Sequence, residues 1–311
     1  MKNFSTYIKI LRIDHWFKNI LVFFGVIIAI NFKSNYQFII ENFYIVIAGI
    51  FSTCLIASSN YIINEYLDRD FDKHHPEKNK RPGAKGFLRS DVVYLMYICF
   101  LAAGLIIAKY INNYFFLTQL LFLVAGFTYN VKPFRFKDIV VIDIISESIN
   151  APIRFLLGWF LIFEVTLPPI SIVIAFWACG AFLMTVKRLG ELKKLKLKKI
   201  NVIKYRKSLS IYTEEKLILL SLFFSNITAL FSGIFLIKHK IELLLCLPFL
   251  ALFFVYHLKI GLIANKLSME SEKIFKNKKL NVIFFILILT FVISYSVELD
   301  FLNYFLIPFN R

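Results

Sequence analysis

The sequence predicts an all-α integral membrane protein of about nine transmembrane helices, with its N-terminus in the cytoplasm and its C-terminus outside. Three observations carry this prediction. First, the 311 residues are 59% hydrophobic but only 18% charged, with a mean hydropathy of +0.69. A soluble domain holds about 45–50% apolar and about 25% charged residues. Second, nine apolar stretches approach the roughly 20 residues that cross a bilayer: 16–32, 39–63, 91–109, 115–131, 139–163, 167–186, 216–237, 240–258 and 280–298. Third, segments 1–18, 64–90, 129–138, 187–217 and 259–279 hold 31 of the 37 Lys and Arg. Basic residues on alternate connections are what the positive-inside rule describes. The formal charge of +17 is therefore mostly topology, and no nucleic-acid partner is expected.

Taken in order, the first stretch follows a polar, mixed-charge segment with no small-residue cleavage site, so it reads as a span and not a signal peptide. The second, 39–63, runs directly into an acidic segment. The third and fourth are plainly apolar. The fifth, 139–163, carries polar residues at helical spacing, and the sixth ends in Lys187-Arg188-Leu189-Gly190-Glu191. The run 193–199 (KKLKLKK) reads as an interfacial amphipathic segment. The last three stretches offer only hydrophobicity. The four cysteines lie in apolar runs without metal-ligand spacing and read as buried thiols. With no linker, repeat or low-complexity tract, residues 1–311 read as one domain. Its long loops, 64–90, 129–138 and 187–215, face the cytoplasm, and long ordered loops tend to carry function.

Two polar stripes locate the chemistry. Continued as a helix, Asn64, Asp68 and Asp72 fall at i, i+4 and i+8 on one face, with Glu65 beside Asp68. Stacked like charges destabilise a helix, so the stripe calls for a compensating cation. Carboxylate oxygens suit Mg²⁺, which completes its shell with water and substrate phosphates; a merely solvated helix end is the plain alternative. In the fifth stretch Asp143, Glu147, Asn150 and Arg154 share a helical face in an otherwise apolar span. Such groups are costly unless they face a bundle interior or a wet cavity. Either Glu147 and Arg154 pair internally, or the stripe forms a second carboxylate cluster facing the first. Pro152 removes a backbone hydrogen bond in the same span and is expected to bend it. Basic residues flank both stripes: Lys78, Lys80 and Arg81, then Lys132, Arg135 and Lys137, then Lys187 and Arg188. They suit phosphate oxygens or anionic lipids. His74 and His75 sit beside the first stripe, where solvent exposure is the simpler reading.

At Asn64–Asp72 the sequence resembles the UbiA superfamily of intramembrane prenyltransferases, whose first motif reads N-D-x-x-D-x-x-x-D. Asn64, Asp68 and Asp72 match it, and Glu65 replaces an Asp. Within the superfamily it is most similar to the decaprenyl-phosphate phosphoribosyltransferase branch. Arg12, Trp16, Lys18 and Asn19 match its R-P-x-Q-W-x-K-N. His75, Pro76, Lys78, Arg81 and Pro82 match its H-P-x-K-R-x-R-P, and Lys187, Arg188, Glu191 and Leu192 its K-R-x-x-E-L. The resemblance spans roughly residues 9–215.

It implies a UbiA-like bundle in a bacterial inner membrane, with an active site facing the cytoplasm. It implies Mg²⁺-dependent transfer of a 5-phosphoribosyl group from phosphoribosyl diphosphate to a polyprenyl phosphate, for cell-wall or lipid biosynthesis. The expected catalytic residues are Asn64, Glu65, Asp68, Asp72, Asp143 and Glu147, with Asp68, Asp72 and Asp143 as metal ligands. The expected substrate and phosphate contacts are Lys18, Lys78, Lys80, Arg81, Arg154, Lys187, Arg188 and Glu191. Two other readings stand beside this one: a prenyl diphosphate donor with an aromatic acceptor, and, more remotely, a secondary transporter. Membrane lipids are expected partners, and homo-oligomerisation is left open.

Overall fold

The computed structural model describes residues 2–33, 37–73, 78–197, 202, 206–263 and 277–302; His74, His75 and Pro76 therefore lie outside the described residues. Among the described residues every regular element is a helix, and the chain divides into two compact units, residues 1–168 with 201–211, and residues 169–200 with 212–311. Six helices are long and apolar enough to cross a membrane among the described residues: Ser5–Lys33, Glu41–Leu67, Ser90–Ile111, Ile170–Leu197, Glu214–His239 and Ile241–Ile263.

The first unit opens with α1 (Lys2–Ile10), a 3-10 segment (Ile13–Asn19) and α2 (Ile20–Lys33). The span read as 16–32 thus becomes α-helical only at Ile20. Residues 11–19 are tied to α3 (Gln37–Leu67) instead: Trp16 Nε1 donates to Ser58 Oγ at 2.9 Å, and Asn19 Nδ2 to Cys54 Sγ at 3.1 Å. Then come α4 (Arg69–Asp72), α5 (Ser90–Ile111) and α6 (Asn113–Asn130), the last started by the Asn112 side chain accepting from the Phe115 amide. The fifth predicted span is divided into α7 (Ile142–Ser148) and α8 (Asn150–Phe160). Pro152 accounts for the division, because it has no amide to offer Ser148 and its ring crowds that carbonyl.

In this unit α3 lies on α5 and α6, and α2 on α8. The α2–α8 crossing is backbone to backbone. A Cβ on Gly25 would strike the Phe155 carbonyl, and one on Gly158 the Val22 carbonyl. Small residues at the crossing are how apolar helices gain contact where no hydrophobic drive separates them from lipid. Toward the C-terminal end of α3, Ile10, Ile62 and Val93 form a core cluster joined by Tyr7, Leu11, Tyr66 and Leu88.

The second unit holds α9 (Ile170–Leu197), α10 (Glu214–His239), α11 (Leu247–Ile263) and α12 (Lys278–Ser296), with α9 packed along α10. Here the structure corrects a boundary. Residues 187–197, read as loop, continue α9. Leu, Lys and Glu are good helix formers, and Arg188–Glu191 is an i, i+3 ion pair, so falling hydropathy does not end the helix. Cys99 is also corrected, being exposed on α5 while Cys54 and Cys246 are buried.

Candidate active site

The acidic motif sits where α3 leaves the apolar core. Asp68 takes φ −92° and ψ 0° between α3 and α4. The Asp68 and Asp72 amides nevertheless bond back to the Asn64 and Asp68 carbonyls at 2.9 and 2.8 Å. The helical register survives, and Asn64, Asp68 and Asp72 keep one face.

Each carboxylate meets a cation from a different segment. Asp68 Oδ1 accepts from Lys137 Nζ at 2.6 Å and Arg135 Nη2 at 3.0 Å. The other two Lys137 donors go to Asn130 Oδ1 at 3.0 Å and Asn64 Oδ1 at 3.4 Å. Asp72 Oδ2 accepts from Arg81 Nη1 at 2.8 Å, with Lys78 Nζ 3.9 Å from Oδ1. Glu65, only 2% exposed, takes Arg12 Nη2 on Oε2 and the Gly83 amide on Oε1, each at 3.2 Å. Burial opposes the charge on Asp68, but Lys137, Lys78 and Arg135 outweigh it and hold the carboxyl below the usual range. Burial lowers Lys137 to about 8 against the pull of Asp68. Burial and the neighbouring Arg12 also lower Arg81.

The second stripe is partitioned by the division at Ile149. Asp143, fully buried, has Ser208 Oγ at 3.1 Å and Arg206 Nη2 at 3.4 Å from Oδ2. Ser208 Oγ also lies 3.0 Å from the Lys137 carbonyl, so Asp143 is linked to the first stripe through that residue. Glu147 accepts from the Tyr129 phenol at 2.6 Å, and that oxygen accepts from Arg206 Nη2 at 2.7 Å. Arg154 on α8 turns elsewhere. Its Nε donates to Asn19 Oδ1 at 2.9 Å, its Nη1 to the Asn150 carbonyl at 3.1 Å, and its guanidinium lies 4.7 Å from the Phe122 ring centre. It does not pair with Glu147.

Asn64, Glu65, Asp68, Asp72, Lys78 and Arg81 therefore come together. Lys80 is exposed beside them. Lys18 shares a hydrogen bond with His15 Nδ1 at 3.2 Å. Lys187, Arg188 and Glu191 belong to the second unit, where Arg188 Nη1 donates to Glu191 Oε2 at 2.9 Å. Among the described residues no three His, Cys, Asp or Glu side chains converge as a metal cage; Asp143 is not gathered with Asp68 and Asp72. Six residues of this network are not among the expected site residues: Arg12, Tyr129, Arg135, Lys137, Arg206 and Ser208. Arg12 carried a signal as part of a matched motif, and Arg135 and Lys137 as loop cations; Tyr129, Arg206 and Ser208 carried none.

Among the described residues, three other than glycine take positive φ: Arg12 (48°), Arg135 (36°) and Val141 (68°). Such conformations cost about 1–3 kcal/mol each and persist where surroundings over-determine them. Arg12 and Arg135 are the residues whose guanidinium groups reach Glu65 and Asp68, and Val141 precedes Asp143 by two.

The profile of the UbiA prenyltransferase family matches residues 20–289. The chain is 28% identical over 223 residues to decaprenyl-phosphate phosphoribosyltransferase of Mycolicibacterium smegmatis, covering 68% of this chain and 64% of that one. It is 27% identical over 197 residues to the nodulation protein NoeC of Azorhizobium caulinodans, covering 62% and 59%. The aligned part thus spans somewhat under two thirds of these relatives. Among solved structures, a UbiA homolog from Archaeoglobus fulgidus bound to DMAPP and Mg²⁺ superposes with a TM-score of 0.67 at 22% identity, covering 94% of this chain and all of that one. A digeranylgeranylglyceryl phosphate synthase superposes with a TM-score of 0.65 at 17% identity, covering 96% and 100%. At these identities the structural likeness is one of fold.

Proposed function

Because the chain belongs to the UbiA prenyltransferase family, and is an integral membrane protein of that fold, we propose that it moves a 5-phosphoribosyl group from phosphoribosyl diphosphate to a polyprenyl phosphate. The reaction takes place on the cytoplasmic side of a bacterial inner membrane, in a nine-span bundle with its C-terminus outside. One observation carries the reading: the acidic stripe is surrounded by more cations than it needs. Lys137 and Arg135 on Asp68, Lys78 and Arg81 on Asp72, and exposed Lys80 beside them make five basic residues around three aspartates, the third being Asp138, which Arg135 Nε also meets at 2.9 Å. A donor with a sugar 5-phosphate and a diphosphate has partners for that surplus. The similarity to decaprenyl-phosphate phosphoribosyltransferase points the same way.

The donor set fits a hard divalent ion, being all oxygen: the Asp68 and Asp72 carboxylates and the Asn64 amide oxygen. When bound, Mg²⁺ supplies neutralising charge to the departing diphosphate. Asp143, enclosed by Arg206 and Ser208, anchors the 206–211 segment in this reading. Lys137, Arg135, Lys78 and Arg81 orient the donor's phosphates, trading carboxylate oxygens for phosphate oxygens as the donor enters. Lys18, at the end of the 3-10 segment, meets the lipid phosphate. In the transfer the C1–O bond to diphosphate breaks, the electron pair leaves with diphosphate, and a lipid phosphate oxygen forms the new bond to C1. That nucleophile is already ionised near pH 7, because a phosphomonoester loses its second proton near pH ~6. No general base is needed.

A second reading keeps the fold and takes a prenyl diphosphate donor with an aromatic acceptor. What favours it is that solved neighbours of this fold hold DMAPP or GPP with Mg²⁺. Incubation of the purified protein with labelled phosphoribosyl diphosphate, Mg²⁺ and a polyprenyl phosphate decides between them. Label should move into the organic phase. If none moves, while a prenyl diphosphate alkylates a hydroxybenzoate, the second reading replaces the first.

A further inference from the structure

Glu65 differs from its neighbours in the stripe. Asp68 is served by one loop, Asp72 by another, but Glu65 joins two segments at once. Its Oε2 holds Arg12 of the N-terminal segment and its Oε1 the Gly83 amide of the 78–83 loop, both at 3.2 Å. The contact with Gly83 is close on both sides, since a Cβ there would come within 2.8 Å of the Glu65 carbonyl. Both carboxylate oxygens are engaged and the residue is 2% exposed.

The segments it joins carry other site residues. Residues 11–19 lie along one face of α3, where Trp16 donates to Ser58, and His15 and Arg12 meet the Tyr61 ring at 5.2 and 5.7 Å. Ser58, Tyr61 and Glu65 fall at i, i+3 and i+7, so Glu65 ends that face. On the other side, Gly83 stands two residues beyond Arg81, the partner of Asp72. We infer that Glu65 is a positioning residue: it clasps Arg12 and the Gly83 amide so that the segment bearing Lys18 and the loop bearing Lys78, Lys80 and Arg81 are fixed to α3. It holds no metal. The extra methylene of Glu over Asp is what lets one carboxylate reach both, and Glu65→Asp withdraws it by about 1.5 Å, one C–C bond.

The test uses full-length protein in detergent, with Glu65→Asp and Arg12→Gln, and with Asp68→Asn as comparison. Arg12→Gln removes only the cation, leaving the Glu65 carboxylate free to turn from the Gly83 amide toward solvent, so the clasp is opened by two independent variants and the test stands if either fails to fold. Trypsin cuts after lysine and arginine except before proline, and four such sites lie within 78–89: Lys78, Lys80, Lys85 and Arg89. Both clasp variants should be cut there about tenfold faster, the lower end of what a charge-assisted hydrogen bond contributes. The kinetic arm rests on the donor reading above: KM for the donor should rise about tenfold with kcat changed far less, and the Mg²⁺ concentration for half-maximal rate should not move. Combining the two substitutions should add little to either. Unchanged cleavage in both variants overturns the inference. So does a Mg²⁺ requirement that rises in Glu65→Asp as it does in Asp68→Asn. Cleavage needs no substrate, so a wrong donor would leave that arm standing and fail only the kinetic one.

Discussion

Lys137 is the residue on which the site closes. Its ammonium group has three donors, and all three are directed at polar oxygens, Asp68 Oδ1, Asn130 Oδ1 and Asn64 Oδ1. Its carbonyl has Ser208 Oγ at 3.0 Å, the hydroxyl that also reaches Asp143. The like-charge stacking that makes an i, i+4 acidic stripe unfavourable is thus answered by protein cations, and Asp68→Asn should not relieve strain. It should remove the counter-charge of Lys137 and Arg135. We expect Asp68→Asn and Lys137→Met each to lower stability by about 1–3 kcal/mol, the cost of leaving a buried hydrogen-bonding group unmatched. Their combination should lose little more than either, because they remove one interaction. Thermal melts in detergent without substrate measure this directly. A higher melting temperature for Asp68→Asn would mean that repulsion along the stripe dominates. The stripe itself was legible in the sequence, since i, i+4 spacing depends only on local helix geometry. Its counter-ions were not: Arg12 and Glu65 are 53 positions apart, and Lys137 and Asp68 are 69 apart. Only the tertiary arrangement selects those cations from the many in the loops.

At the level of elements, hydropathy located the helices well and their ends poorly. A drop in hydropathy reports leaving an apolar environment, whereas a helix ends for local reasons. Residues 187–197 remain helical because they are good helix formers, and 139–163 divides because Pro152 denies Ser148 its partner. The 3-10 course of residues 13–19 follows from docking on α3, which no periodicity announces. The α2–α8 crossing is a further case, since nothing in the sequence singles out Gly25 and Gly158 from the other glycines. An added Cβ at Gly158 would meet the Val22 carbonyl and, at 2.9 Å, the Val26 amide nitrogen, both backbone atoms that cannot rotate away. Gly158→Val should therefore force the helices apart and cost at least the roughly 1–3 kcal/mol typical of overpacking. Gly233→Ala is the control, because a Cβ there meets only Leu247 Cδ1 at 3.9 Å. Equal melting temperatures for the two variants would show that the crossing tolerates separation.

For the whole molecule the governing quantity is charge. With 31 of 37 basic residues on alternate connections, insertion should place all five basic segments on the cytoplasmic side, the site of the acidic motif among them. An odd number of crossings must then leave the C-terminus outside. The structure makes the count a real question, because α7 and α8 are each shorter than the roughly 20 residues of a span and meet at Ile149. They cross together only if they act as one bent helix, as the backbone bonds Ile149 N to Ile145 O (3.3 Å) and Ile153 N to Ile149 O (3.2 Å) allow. Alkaline phosphatase fused after Arg311 should accordingly be active and green fluorescent protein fused there dark. Fusions in the 164–168 connection, between α8 and α9, should behave the same way. A bright fluorescent fusion at 164–168 would mean that α7 and α8 form a re-entrant pair, returning to the side they left. The 187–217 segment, with 11 basic residues, would then be carried across the membrane against the charge rule.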